Sequence, residues 1–445
     1  VYKRQISLGC DKNLADSEEM LGLLTGNGHE IVDSEEEADA IVINTCCFIH
    51  DAKEESVNTI LEMAEYKKAG TCKILIVTGC MAQRYKEEIT EEIPEVDAVL
   101  GTTSYGDIVK ALNEAEAGHV FQEFKDINAL PEDSGRRVIT TGGHFGYLKI
   151  AEGCDKHCTY CIIPSLRGKF RSVPEERLLK QTEYMASQGV RELILVAQET
   201  TVYGTDRYGK KTLHILLKKL CQIKGIRWIR VLYCYPEEIT EELVQTIKTE
   251  KKICHYLDLP IQHCNDDILK RMGRKTTQAD LREKISMLRK EIPDIALRTT
   301  LISGFPGETN ENHEECVDFV ANMKFERLGV FPYSPEEGTP AAGYDRQLPE
   351  EIKQEWADEI MQTEQNVIFA QNEEMIGRRL SVIVDGYLPE DGVYVGRTYR
   401  DAPEIDGCLF FEAPYEIISG TILPVLVTDA NGYDLIGEIL PEEDD

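Results

Sequence analysis

Short apolar runs alternate with amphipathic stretches over most of this chain, and that alternation constrains its fold more than any other feature. Between residues 1 and 117 the strand candidates are Ile6–Leu8, Ile41–Asn44, Ile74–Thr78 and Ala98–Leu100. Pieces such as SEEMLGLLTGNG and AKEESVNTILEMAEYKKAG lie between them. Strands alternating with helices build βαβ units, so an open parallel sheet is expected. Residues 118–145 carry turn formers in PEDSGRR and TTGGH and read as a linker. From 146 the alternation resumes, with strand candidates Tyr147–Ala151, Glu192–Ala197, Trp228–Tyr233, Tyr256–Pro260, Leu297–Ile302 and Leu328–Pro332. Helical stretches at 174–188, 212–222, 240–250, 277–291 and 310–323 fill the gaps. Six β/α repeats fit a partial (β/α)6 barrel, an incomplete relative of the closed eightfold form.

A polar stretch at 349–376 is opened by a proline and closed by Gly377, as one long helix would be. Helical periodicity then stops. LSVIVDGY, GVYVGRTY, CLFFEAP, TILPVLVTDA and YDLIGEIL read as five strands of a small barrel. The expected α/β organisation is therefore an N-terminal domain at 1–117, a linker at 118–145, a barrel domain at 146–373 and a β-barrel at 374–445. A chain of 445 residues is long enough for two to four such units.

The formal net charge is −31, which argues against generic nucleic-acid binding and favours either a basic partner or simply solubility. The C-terminal segment is the extreme case, with four Arg against sixteen carboxylate side chains. No apolar run reaches membrane-spanning length, which takes about 20 residues, and no signal segment opens the chain. A cytoplasmic protein without a membrane partner is the expectation. The start at Val1 rather than Met is read as a few missing residues.

Fourteen cysteines are many for a reducing compartment, where clustered thiols point to metal or catalysis rather than disulfides. Cys154, Cys158 and Cys161 form C-x3-C-x2-C directly after a strand candidate. Three thiolates can hold three irons of a 4Fe–4S cube and leave the fourth open to a ligand. A zinc site or three buried cysteines is the competing reading. Cys10, Cys46 and Cys80 each stand just beyond the carboxyl end of a strand candidate, following ISLG, IVINT and ILIVTG. Open α/β sheets bind ligands at those ends, so the three could converge. Strand alternation turns Cys46 and Cys47 to opposite sides. Cys72, Cys221, Cys234, Cys254, Cys264, Cys316 and Cys408 are expected in packing roles, as free thiols commonly are.

The loop EGCDKHCTYCIIPSLRG resembles that of radical S-adenosylmethionine enzymes. With SLGCDKNLADSEEM, NTCCFI and TGCMAQR, the order resembles the methylthiotransferase family across nearly the whole chain. That resemblance implies a radical domain, a C-terminal TRAM domain and two 4Fe–4S clusters. Cys154, Cys158 and Cys161 would hold the cluster that binds S-adenosylmethionine and cleaves it to a 5′-deoxyadenosyl radical. Cys10, Cys46 and Cys80 would hold the auxiliary cluster, with Cys46 chosen over Cys47 because NTC matches the family's element. Tyr160 would lie near the adenine, and Gln198, Gln262 and Arg298 would contact the rest of the cofactor. Glu199 stands where the family commonly has Asp. GFPGE at 304–308 lacks the Lys-Ser/Thr ending of a P-loop and is not read as one.

Two substrates compete within the family: an adenosine of the tRNA anticodon loop, and the β-carbon of an aspartate of small-subunit ribosomal protein S twelve. The acidic C-terminal domain opposes phosphate and favours a basic protein. GRTYRDAPEIDG and YLDLPIQHCNDDILKRMGR also resemble the subfamily acting on the ribosomal protein. A monomeric methylthiotransferase with an external reducing electron donor is expected. A non-catalytic iron–sulfur scaffold docking on ribosomal protein is the reading from another class.

Overall fold

The computed structural model describes residues 2–132 and 135–440. The first sheet contains β1 (Tyr2–Ser7), β2 (Glu30–Ile31), β3 (Ala40–Thr45), β4 (Ile74–Gly79), β5 (Ala98–Leu100) and β6 (Phe121–Glu123). Their order is β2-β1-β3-β4-β5-β6 and every pairing is parallel. AIVINT and ILIVTG are buried throughout, as central strands covered on both faces must be. The chain reverses direction across the sheet between β1 and β3, which makes their carboxyl ends the switch point. β6 lies inside the segment read as a linker. It extends the sheet beyond residue 117, and its three half-buried residues gave too short an apolar run to stand out.

β7 (Phe145–Lys149) opens the second unit. A ribbon of β8 (Ala151–Glu152) and β9 (Arg171–Ser172) flanks the cysteine loop. β10 (Glu192–Val196), β11 (Trp228–Val231), β12 (Ile253–Asp258), β13 (Ala296–Ser303) and β14 (Arg327–Pro332) complete a six-stranded parallel sheet ordered β14-β13-β12-β11-β10-β7. This is the expected six-repeat partial barrel. The helices pack outside on an apolar layer that includes Leu178, Leu216, Leu243, Leu281 and Phe319. A helix over Glu350–Glu373 leads to β15 (Arg379–Leu388), β16 (Val393–Arg397), β17 (Leu409–Glu412), β18 (Ile422–Asn431) and β19 (Asp434–Ile439), which close into the expected five-stranded barrel.

The small barrel closes the inner side of the large one. Ala402 packs with Tyr147, Ile194, Val196 and Tyr256. Buried Glu192 pairs with Arg230 at 2.8 Å and with Arg397 of the C-terminal domain at 2.6 Å. Asp406 accepts from Tyr256 at 2.7 Å, and Asp401 pairs with Arg327. No helix of the described residues is long and apolar enough to cross a membrane.

Candidate iron–sulfur active site

Register brings the first three cysteines level. Thr45 pairs with Gly79 across β3 and β4, so Cys46 and Cys80 leave the sheet side by side. Ser7 pairs with Asn44, and the Leu8 amide continues the ladder onto Asn44. Gly9 then turns with φ +86, and a Cβ there would stand 2.6 Å from Cys46 Cβ. Only glycine allows the Cys10 loop to approach Cys46 this closely. Cys47, fully buried, faces the apolar core with Met63 and Ile89.

Asn13, in the first turns of the helix Asp11–Gly26, fastens these loops together. Its Nδ2 donates to the Leu8 and Thr45 carbonyls, both at 3.0 Å. Its Oδ1 lies 3.9 Å from Cys80 Sγ and accepts from Arg167 Nη2 at 2.5 Å. Arg167 is buried and also reaches Asp16 at 3.0 Å and Glu152 at 3.3 Å. Lys149 pairs with the same two carboxylates. Burial opposes ionisation of Glu152, but Lys149 and Arg167 overcome it and hold that carboxyl well below its usual range.

Cys154, Cys158 and Cys161 follow the ribbon strand β8. Gly153 has φ +70, and a Cβ there would collide with the carbonyl oxygens of Gly168 and Lys169. The Lys156 amide approaches Cys154 Sγ at 3.4 Å. Tyr235 Oη lies 3.9 Å from Cys158 Sγ, and Arg274 stands over the Tyr235 ring at 4.3 Å. Lys156 reaches Glu199 at 3.7 Å and Glu237 at 3.5 Å, anchoring the loop to the barrel. Burial lifts the Glu199 carboxyl to about 7 against the pull of Lys156.

Both triads have the donor chemistry of cluster sites. Burial first, then Cys80 and Cys10 close by, push the Cys46 thiol up to about 12. Burial does the same to Cys154 and Cys161. Without a cation such thiols stay protonated, and bound metal draws off the proton. Gln198, at the end of β10, has a buried Oε1 with no protein partner, as a residue awaiting a cofactor would.

Among the described residues a compact group of possible metal ligands lies elsewhere. Ligand atoms of His263, Cys264 and Cys316 lie within 4.8 Å of one another, all buried. His263 Nδ1 accepts from the Asn265 amide at 3.0 Å, and Nε2 stands 3.2 Å from Glu308. Neither Nε2 nor that Glu308 oxygen makes a hydrogen bond among the described residues, so one ring nitrogen of the group stays unpartnered.

The two triads also face one loop. Tyr233 and Tyr235 follow β11; Tyr233 Oη donates to Asp11, next to Cys10, at 3.1 Å, while Tyr235 meets Cys158. Three family models match the chain in this order: Uncharacterized protein family UPF0004 at residues 4–101, Radical SAM superfamily at 148–320, and TRAM domain at 376–440. A protein of Lachnoclostridium phytofermentans named ribosomal protein uS12 methylthiotransferase RimO is 60% identical over 97% of this chain and 98% of its own. One of the same name from Clostridioides difficile is 48% identical over 98% of each. This chain belongs to the RimO methylthiotransferase family. Among solved structures, the radical S-adenosylmethionine methyltransferase TsrM of Kitasatospora setae shares the fold with TM-score 0.53 at 13% identity, over 76% of each chain. The cobalamin-dependent radical enzyme OxsB matches at TM-score 0.51 and 14% identity, over 81% of this chain and 56% of its own.

Within this RimO family member the remaining expected residues have distinct surroundings. Tyr160 packs edge-on against Phe305 at 6.4 Å, with burial and then Cys158 raising its hydroxyl. Gln262 adopts φ +73 and bridges to β13 through Thr300 and Ile302. Arg298 is held by Asp258 at 3.0 Å and Asp406 at 3.4 Å. Sequence reasoning missed Asn13, Lys149, Glu152 and Arg167. The available signal was the polar run DKNLADSEE at a helix start: a helix burying Lys12, Asn13, Asp16, Glu18 and Glu19 needs charged partners.

Proposed function

We propose that this chain transfers a methylthio group to the β-carbon of an aspartate of ribosomal protein uS12. Its cofactors are S-adenosylmethionine and two 4Fe–4S clusters. In this reading Cys154, Cys158 and Cys161 hold one cluster, and Cys10, Cys46 and Cys80 hold the other. The placement of both triads against the Tyr233–Tyr235 loop carries the proposal, because radical formation and sulfur delivery must meet at one substrate atom. When bound, the cofactors supply a radical able to break an unactivated C–H bond and the sulfur and methyl groups that replace the hydrogen. The protein's own residues orient and enclose. Gln198 has a free buried oxygen for the cofactor, Tyr160 stands beside Cys158, and Gln262 stands at the barrel mouth. Arg298, oriented by Asp258 and Asp406, completes the proposed cofactor set.

A basic protein substrate rather than tRNA is supported by charge. Of the four arginines of the acidic C-terminal domain, Arg397 and Arg400 are buried and face the barrel domain, not solvent. Little cationic surface is left there for phosphate. The reading takes the enzyme as a cytoplasmic monomer served by an external one-electron donor. Anaerobically reconstituted protein, reductant and S-adenosylmethionine are incubated with uS12 or with tRNA and the products weighed by mass spectrometry. A methylthio mass gain on uS12 is expected; a gain on tRNA alone would refute the assignment.

A further inference from the structure

Arg167 has no part in the reading above, yet it is the best-held cation in the N-terminal cysteine site. Its side chain is 2% exposed. Its fork is fixed by Asn13, Asp16 and Glu152, and Asn13 Oδ1 is shared between Arg167 Nη2 and Cys80 Sγ. Lys149 shares Asp16 and Glu152, so the two carboxylates are matched by two cations.

We propose that Arg167 is the positioning residue that compensates negative charge at the Cys10–Cys46–Cys80 site and sets the reduction potential of the cluster held there. This rests on the two-cluster reading given above. Three thiolates in a low-dielectric pocket repel one another and resist any further electron. A buried cation beside them favours the more negative, reduced state. Arginine suits the position because it cannot lose its proton on burial, and its planar fork holds one orientation. Lysine would keep the charge and lose the fork.

Arg167→Gln and Arg167→Lys are made in the full chain, reconstituted with iron and sulfide, and titrated by EPR-monitored potentiometry. Iron is determined on each sample. Signals are assigned with the variant lacking Cys154, Cys158 and Cys161. In Arg167→Gln the N-terminal cluster should become at least tenfold harder to reduce in equilibrium constant, about 59 mV for one electron. Arg167→Lys should shift it less, and the other cluster should shift less or not at all. If Arg167→Gln fails to fold because Asp16 and Glu152 lose their cation, Asp16→Asn/Arg167→Gln replaces it with a smaller shift in the same direction, because the carboxylate lost with the cation offsets part of the effect. An unchanged or raised N-terminal potential in a folded variant, or an equal shift at both clusters, overturns the proposal. If the unaltered chain holds iron for one cluster only, the two-cluster reading itself fails and takes this assignment with it.

Discussion

Cys154, Cys158 and Cys161 come from one eight-residue loop, whereas Cys10, Cys46 and Cys80 come from three strand ends spread over 70 residues. The loop triad is placed by the covalent chain and by the turn at Gly153. The dispersed triad is placed by sheet register and by one helix residue, Asn13, that fastens two of the three loops. Local construction makes a site recognisable and tolerant of distant change. Construction by register makes a site depend on the whole sheet, and ties it to the buried charges that join the two domains.

The most severe test removes each triad in turn. Ala at Cys154, Cys158 and Cys161 should cost one cluster's iron and all cleavage of S-adenosylmethionine. Ala at Cys10, Cys46 and Cys80 should cost the other cluster's iron, leave some cleavage and abolish methylthio transfer. Iron analysis and product chromatography read both. Full iron in the second variant would break the comparison, because the strand-end cysteines would then hold no cluster.

Asn13→Ala is a smaller perturbation aimed at the difference itself. It strips two buried carbonyls and Arg167 of a partner, a cost of about 2–4 kcal/mol across several lost hydrogen bonds. The dispersed triad should lose iron on dilution or mild chelation while the loop triad keeps its own. Equal loss from both would mean that the two sites share one mechanical support.

The same contrast explains what was legible in the sequence. All ten strand candidates of the first two units correspond to strands here, because buried parallel strands are continuous apolar runs whatever surrounds them. The five strands of the C-terminal barrel were equally visible by their alternation and turns. β2 and β6 were not, because two or three half-exposed edge residues carry no period. The loop triad could be read from spacing alone. The dispersed triad needed strand position as well, and its level register appears only once Thr45 pairs with Gly79. Asn13 and Arg167 were hidden for a different reason. A polar residue near a helix start ordinarily faces water, and only the packing of this helix between the sheet and the barrel domain buries Asn13 completely. Arg298 shows what sequence could not add: its strand-end place was legible, but its partners Asp258 and Asp406 were not, Asp406 being supplied by a domain more than 100 residues later.

The finest test uses two hydroxyls two residues apart. Tyr233 reaches toward the dispersed triad through Asp11, and Tyr235 approaches Cys158 directly. Each phenylalanine substitution removes one hydrogen-bonding group and keeps the ring, so folding should change by only about 0.5–1.5 kcal/mol. The spectroscopic effects should separate. Tyr235→Phe should alter the EPR signal of the Cys154–Cys158–Cys161 cluster, since its hydroxyl is the one near a ligand sulfur. Tyr233→Phe should act on the other cluster, and more weakly, because its bond ends on Asp11 rather than on a thiol. If either variant disturbed both signals alike, the loop would be one shared wall rather than a partition with two faces. The two sites, however differently built, would then have to be treated as a single electronic unit.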